Sequence, residues 1–173
     1  MAERTGDWGA SGRQSGMTTE TTIEDLRELM QICHDGALGF DTAAEHCVNT
    51  QLKSVFEQYA RQREGFAQEL RTEVERLGGT PLDSTSVVGT LHRGWIDLKG
   101  AVTGGDGEAI VAACETGEDH AAAAYERVVD LELTGFAHAM VERQWEAIKE
   151  AHAHILRLKS EGEKAGFRKD SKA

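Results

Sequence analysis

The stretch QYARQREGFAQEL, Gln58 to Leu70, carries the spacing that decides the fold of this chain. Four of its residues recur at intervals of four, three and four, which places them on one face of an α-helix. They are Tyr59, Arg63, Phe66 and Leu70. Arginine is unusual on such a seam, because a guanidinium always carries its charge and the neighbouring seam positions are apolar. Because Arg63 shares its helical face with these apolar residues, we nevertheless expect its side chain to point into the interior.

The same alternation of three- and four-residue intervals continues before and after this stretch. It predicts four long helices, each with one apolar face, and a shorter helix between the second and third of them. A capping box at Thr21 and Glu24 predicts where the first helix begins. Gly78 and Gly79 predict the end of the second helix, and Asp106 is the expected N-cap of the next long helix.

The predicted short helix has its own apolar seam, made of Val88, Leu91, Trp95, Leu98 and Val102. Short links join the first two long helices and the last two, so each pair is expected to form an antiparallel hairpin. The connection from Pro81 to Gly105 is long enough to cross the bundle. We therefore predict an all-α, ferritin-like four-helix bundle with a crossover helix. A generic up-and-down bundle is the alternative, because this spacing specifies packing angles and not connectivity.

The two ends of the chain lack the apolar periodicity. Residues 1–18 are rich in Gly, Ser and charged side chains, so we expect a disordered extension there, and Met17 is an alternative start. Residues 19–160 are expected to form the bundle. Residues 161–173 are expected to be a flexible polar tail.

Composition and charge exclude several classes of partner. The formal net charge is −11, and no helix face gathers the Lys and Arg residues that nucleic-acid binding requires. No apolar run approaches the ~20 residues that span a bilayer, and the N-terminus lacks the apolar core of a signal peptide. We therefore expect a cytoplasmic protein with no membrane partner. Its three widely spaced cysteines are expected to be buried, reduced thiols.

Four segments together resemble a known family. They are ICHDGALGFDTAAE (residues 32–45), ARQREGFAQELRTEVERLGG (60–79), LHRGWIDLKGAVTGGD (91–106) and GEDHAAAAYERV (117–128). The resemblance spans residues 21–159 and is to an uncharacterised bacterial family of ferritin-like four-helix bundles, known as a domain of unknown function. It implies the ferritin-like fold, and the family lends no established activity.

A ferritin-like fold implies a di-iron centre built from carboxylates and two Glu-x-x-His pairs. In this chain the corresponding residues on the second helix are Arg63 and Phe66. On the last helix they are Lys149 and His152. Two of the four implied carboxylates are thus replaced by cations, and one of the two histidines by phenylalanine.

The remaining carboxylates of the implied centre correspond to Asp35 and Glu118. A guanidinium opposes a metal cation, so we expect Arg63 and Lys149 to neutralise these two carboxylates in structural core ion pairs. No residue is then assigned a catalytic role, and no cofactor is expected.

The alternative is a diverged iron-binding protein or di-metal carboxylate oxidase that holds iron or manganese. Its candidate ligands are Asp35, Glu118, Tyr125 and His152, with carboxylates such as Glu115 filling in. Glu118 and Tyr125 lie seven residues apart on one helical face, which resembles the pairing in rubrerythrin-like proteins.

These expectations favour a non-catalytic stress-related, scaffolding or interaction protein over an enzyme. The expected partner is another copy of the chain, in the simplest case as a homodimer, anchored by Trp95 or Trp145. No small-molecule substrate is identifiable. A ligand-binding bundle is a third hypothesis, for which no pocket signature is visible.

Overall fold

A computed structural model describes residues 11–82, 98, 100–101, 106–131, 133 and 135–170, with side chains described between residues 19 and 164. These residues contain four α-helices and no strand. The helices are α1 (Ser11–His46), α2 (Thr50–Arg76), α3 (Gly107–Val129) and α4 (Gly135–Asp170). The predicted all-α class is therefore confirmed for the described part of the chain.

Two helix ends follow the capping chemistry that the sequence predicts. Asp106 is the N-cap of α3, and its carboxylate accepts a hydrogen bond of 3.0 Å from the backbone N–H two residues later. Beyond α2, Gly78 has a φ of 85°. The N–H groups of Gly78 and Gly79 donate to the carbonyls of Glu75 and Val74. This is the Schellman pattern, in which a glycine at positive φ ends a helix.

The outer ends of α1 and α4 lie further out than predicted. α1 begins at Ser11, so the prediction that Thr21 starts the helix is wrong. No proline interrupts residues 11–20, so the backbone can continue the helix through the predicted capping box. α4 continues to Asp170 through a polar segment whose Glu, Lys and Ala residues are good helix formers.

The helices pack as two antiparallel hairpins, α1 with α2 and α3 with α4. The hairpins meet mainly through α1 and α3, while the backbones of α2 and α4 approach each other less closely. Gly79, after α2, lies against Ile23 near the start of the bundle-forming part of α1. Gly107, at the start of α3, lies against Leu52 near the start of α2. Therefore α2 and α3 run in the same direction and face each other diagonally across the bundle.

The core consists of two hydrophobic clusters stacked along the bundle axis. One cluster takes its buried residues from 26–33 of α1 and 66–74 of α2. The other takes them from 40–47 of α1 and 56–60 of α2. Both clusters are completed by α3 and α4. Between the clusters is a middle level at which α2 presents Arg63 to the interior.

The predicted crossover helix falls mostly outside the described residues. Of its seam, Leu98 is described, and it is 3% exposed and belongs to the second cluster. Val88, Leu91, Trp95 and Val102 lie outside the described residues.

Among the described residues, no helix combines the length and the apolar composition that crossing a membrane requires.

Two glycines, one within α2 and one just after it, test this account of the hairpin. A Cβ added at Gly65 would meet no neighbouring group of the described chain within 4 Å, so Gly65→Ala should raise the free energy of unfolding by about 0.5–1 kcal/mol. Gly78→Ala should lower it by about 1 kcal/mol, because φ at 85° disfavours a side chain. Urea denaturation of both variants measures the difference, and equal midpoints would contradict the assigned helix end.

Candidate functional site

The centre of the bundle holds a buried ion pair. Arg63 of α2 and Glu118 of α3 each have side chains that are 1% exposed, and Arg63 Nη2 donates to Glu118 Oε2 at 2.6 Å. Because α2 and α3 are diagonal to each other, this bond crosses the bundle from one hairpin to the other. The side chain of Arg63 thus points inward, as its place on the seam predicts, and it is long enough to reach the Glu118 carboxylate on α3.

Aromatic rings and a glycine make room for the Arg63 side chain. The guanidinium carbon lies 5.9 Å from the ring centroids of both Phe40 and Phe66, within the range of a cation–π contact. Arg63 Nη1 donates to Gln62 Oε1 at 2.6 Å. A Cβ placed on Gly36 of α1 would lie 3.4 Å from Arg63 Cγ, so the backbone of α1 runs directly beside the arginine stem. The Arg63 Nε–H has no hydrogen-bond partner among the described residues.

The charge of Arg63 is maintained by its carboxylate partner. Burial alone would lower the pKa of this guanidinium, but the charge and the hydrogen bond of Glu118 outweigh burial and raise the pKa above its ordinary value. The site therefore holds a fixed positive charge that is neutralised inside the protein.

Besides the ion pair, the core contains a chain of hydrogen bonds that starts at Cys33 of α1, called the Cys33 chain below. Its Sγ lies 3.1 Å from Tyr125 Oη of α3, which donates to Gln144 Oε1 of α4 at 2.8 Å. Gln144 Nε2 then donates to Glu69 Oε2 of α2 at 2.7 Å. Arg143 Nη2 donates to the same oxygen at 2.6 Å. These hydrogen bonds involve a residue from each of the four helices and connect the core to the surface.

The donors in this chain have fixed directions. The Glu69 oxygen accepts, so Gln144 presents its NH₂ group to Glu69 and its carbonyl to Tyr125. Tyr125 donates its one proton to that carbonyl and has a lone pair left for Cys33. The Cys33 thiol is therefore the donor at the buried end of the chain.

Two buried thiols and one buried phenol of the core stay protonated at neutral pH. Burial raises the pKa of Cys33 to about 11, although the hydrogen bond with Tyr125 and the charge of Arg63 act in the opposite direction. Burial, with a further contribution from Cys33, raises the pKa of Tyr125 well above its ordinary value. Burial, together with the charge of Glu118, does the same to the pKa of Cys114. These thiols and this phenol are therefore not activated as nucleophiles.

A comparison with protein-family models identifies the family of this protein. The family model for a domain of unknown function, DUF2383, matches residues 21–131, more than half of the chain. The chain belongs to the DUF2383 family. A comparison with curated proteins gives no match. The DUF2383 region contains Arg63, Glu118, Cys33 and Tyr125, whereas Gln144 lies beyond it in α4.

Lys149 of this DUF2383 protein lies at the surface. Its Nζ donates to Glu146 Oε1 at 2.8 Å, and 45% of its side chain is exposed. The predicted core ion pair of Lys149 is therefore absent from the described interior. The next residue towards the N-terminus, Ile148, is fully buried, so Lys149 sits at the edge of the buried face. From there its long stem lets the ammonium group reach water.

The structure does not gather the other candidate metal ligands of the DUF2383 protein around Glu118. Tyr125 is part of the Cys33 chain. His152 Nε2 lies 2.7 Å from Asp119 Oδ1 at the junction of α3 and α4. Asp35 is half-buried, and its Oδ1 accepts a bond of 3.1 Å from Gln31 Nε2. Among the described residues, no three His, Cys, Asp or Glu side chains form a group that could hold a metal ion.

Sequence reasoning misses Gln144 and Glu69 as members of the interior network. Gln144 is fully buried, and it lies three residues after Val141 and four before Ile148, both of which are fully buried. That spacing is the signal that places Gln144 on the seam of α4. Glu69 has no such signal, because it lies outside the seam of α2 and is reached by Gln144 from the facing helix.

The ion pair predicts an asymmetric response to mutation. Arg63→Ala leaves Glu118 buried without its partner and should lower the free energy of unfolding by about 3–5 kcal/mol. The double variant Arg63→Met with Glu118→Leu should recover most of that loss, because no unpaired charge remains. The matched control is Arg143→Ala, which breaks a half-exposed ion pair with Glu69 and should cost less than about 1 kcal/mol. Urea denaturation measures all three, and equal losses for Arg63→Ala and Arg143→Ala would contradict the proposed role of burial.

The Cys33 chain predicts a difference between two tyrosines. Tyr125→Phe leaves Cys33 and Gln144 without their buried partner and should cost about 1–3 kcal/mol of unfolding free energy. Tyr59→Phe removes a bond of 2.7 Å to the half-buried His154, which water can replace, so this control should cost less. Thermal unfolding of the two variants compares them. A larger loss of stability for Tyr59→Phe than for Tyr125→Phe would contradict the prediction that the buried hydrogen bonds of Tyr125 contribute more to stability.

Proposed function

We propose that this chain is a ferritin-like bundle in which an internal ion pair takes the place of a di-metal centre, and that it acts as a non-catalytic interaction or scaffold protein. The observation that carries the proposal is the buried pair of Arg63 and Glu118. A cation that cannot lose its proton occupies the middle of the bundle, where a ferritin-like enzyme needs carboxylates.

The helix connectivity supports the ferritin-like part of the proposal. Two antiparallel hairpins pack together, and α2 and α3 run in the same direction. A chain that leaves the end of one helix and enters a parallel one has to return along the bundle. The connection from residue 77 to residue 106 has the length for this return, which is the arrangement of ferritin-like folds with one long crossover.

The donor set around Arg63 does not fit a di-metal centre. Such a centre needs several carboxylates that balance the charge of two cations. Here Glu118 is already neutralised by Arg63, and the nearby phenol and thiol of Tyr125 and Cys33 are held protonated by burial. The same properties of the core support a structural role.

Metal analysis distinguishes the proposal from a diverged iron protein. Protein purified from iron-supplemented culture should contain no stoichiometric iron or manganese, because the positive charge of Arg63 repels a metal cation at the centre of the bundle. About two metal ions per chain, together with an oxygen-dependent absorbance change, would overturn the proposal. His152→Ala serves as the matched variant. This substitution should change the free energy of unfolding by less than about 1 kcal/mol, because water can replace the partly exposed contact between His152 and Asp119.

We further propose that the protein's partner is a second copy of the chain. Trp145 is a poor anchor for this contact, because it packs against the first core cluster and its ring lies 5.3 Å from Lys149 Nζ. Trp95 lies outside the described residues. Light scattering of the purified chain measures the assembly. A mass of two chains of 18.9 kDa is expected, and the mass of a single chain at all concentrations would exclude the homodimer.

A further inference from the structure

We draw no further inference here: the strongest candidate, the buried side-chain cluster of Cys33, Tyr125 and Gln144, belongs to the site already described, and it carries nothing more because the thiol is fully buried and the Gln144 amide is not a base that could take up a proton.

Discussion

A guanidinium inside an apolar core is the constraint on which the rest of this structure depends. Arg63 cannot become neutral by losing its proton, and an unpaired buried charge costs several kcal/mol, so a carboxylate has to reach it. Glu118 meets that requirement from the diagonal helix, and Gly36 and the rings of Phe40 and Phe66 shape the space around the arginine side chain. Since the two charges belong to different hairpins, we infer that the pair also sets the register in which the hairpins pack. A shift of either hairpin by one helical turn, about 5.4 Å, would separate the charges.

The buried polar groups lie where a purely apolar core would have allowed several arrangements. Two hydrophobic clusters are stacked along the bundle, and apolar contacts of this kind are not directional. The Arg63–Glu118 pair lies between them, and the chain from Cys33 to Glu69 adds a directional set of bonds that touches every helix. A buried ion pair often contributes no more to net stability than apolar side chains of similar volume would. We infer that the contribution of the buried polar groups here is to the uniqueness of the packing.

The electrostatics of the core bear on the contrast between a catalyst and a structural protein. Catalytic sites shift pKa values towards the working pH, so that a group can exchange protons or attack a substrate. In this bundle burial shifts the pKa of Cys33, Cys114 and Tyr125 upward, away from neutrality, and Arg63 remains charged. Each of these groups is held in one protonation state at neutral pH. That pattern supports the non-catalytic role that we propose.

The sequence by itself determined the four long helices apart from the outer ends of α1 and α4, two helix caps and the inward orientation of Arg63, because apolar spacing and capping residues act within one helix. It also pointed to Glu118 as one of two carboxylates for the cations. Only the tertiary structure decided that Glu118 is the partner of Arg63, that Lys149 turns to water, and that Gln144 connects Tyr125 to Glu69. Helical periodicity shows which face a residue lies on, but not the height at which it meets a residue of another hairpin. That height depends on how the two hairpins pack, and side chains at the edge of a face, such as Lys149, can turn either way.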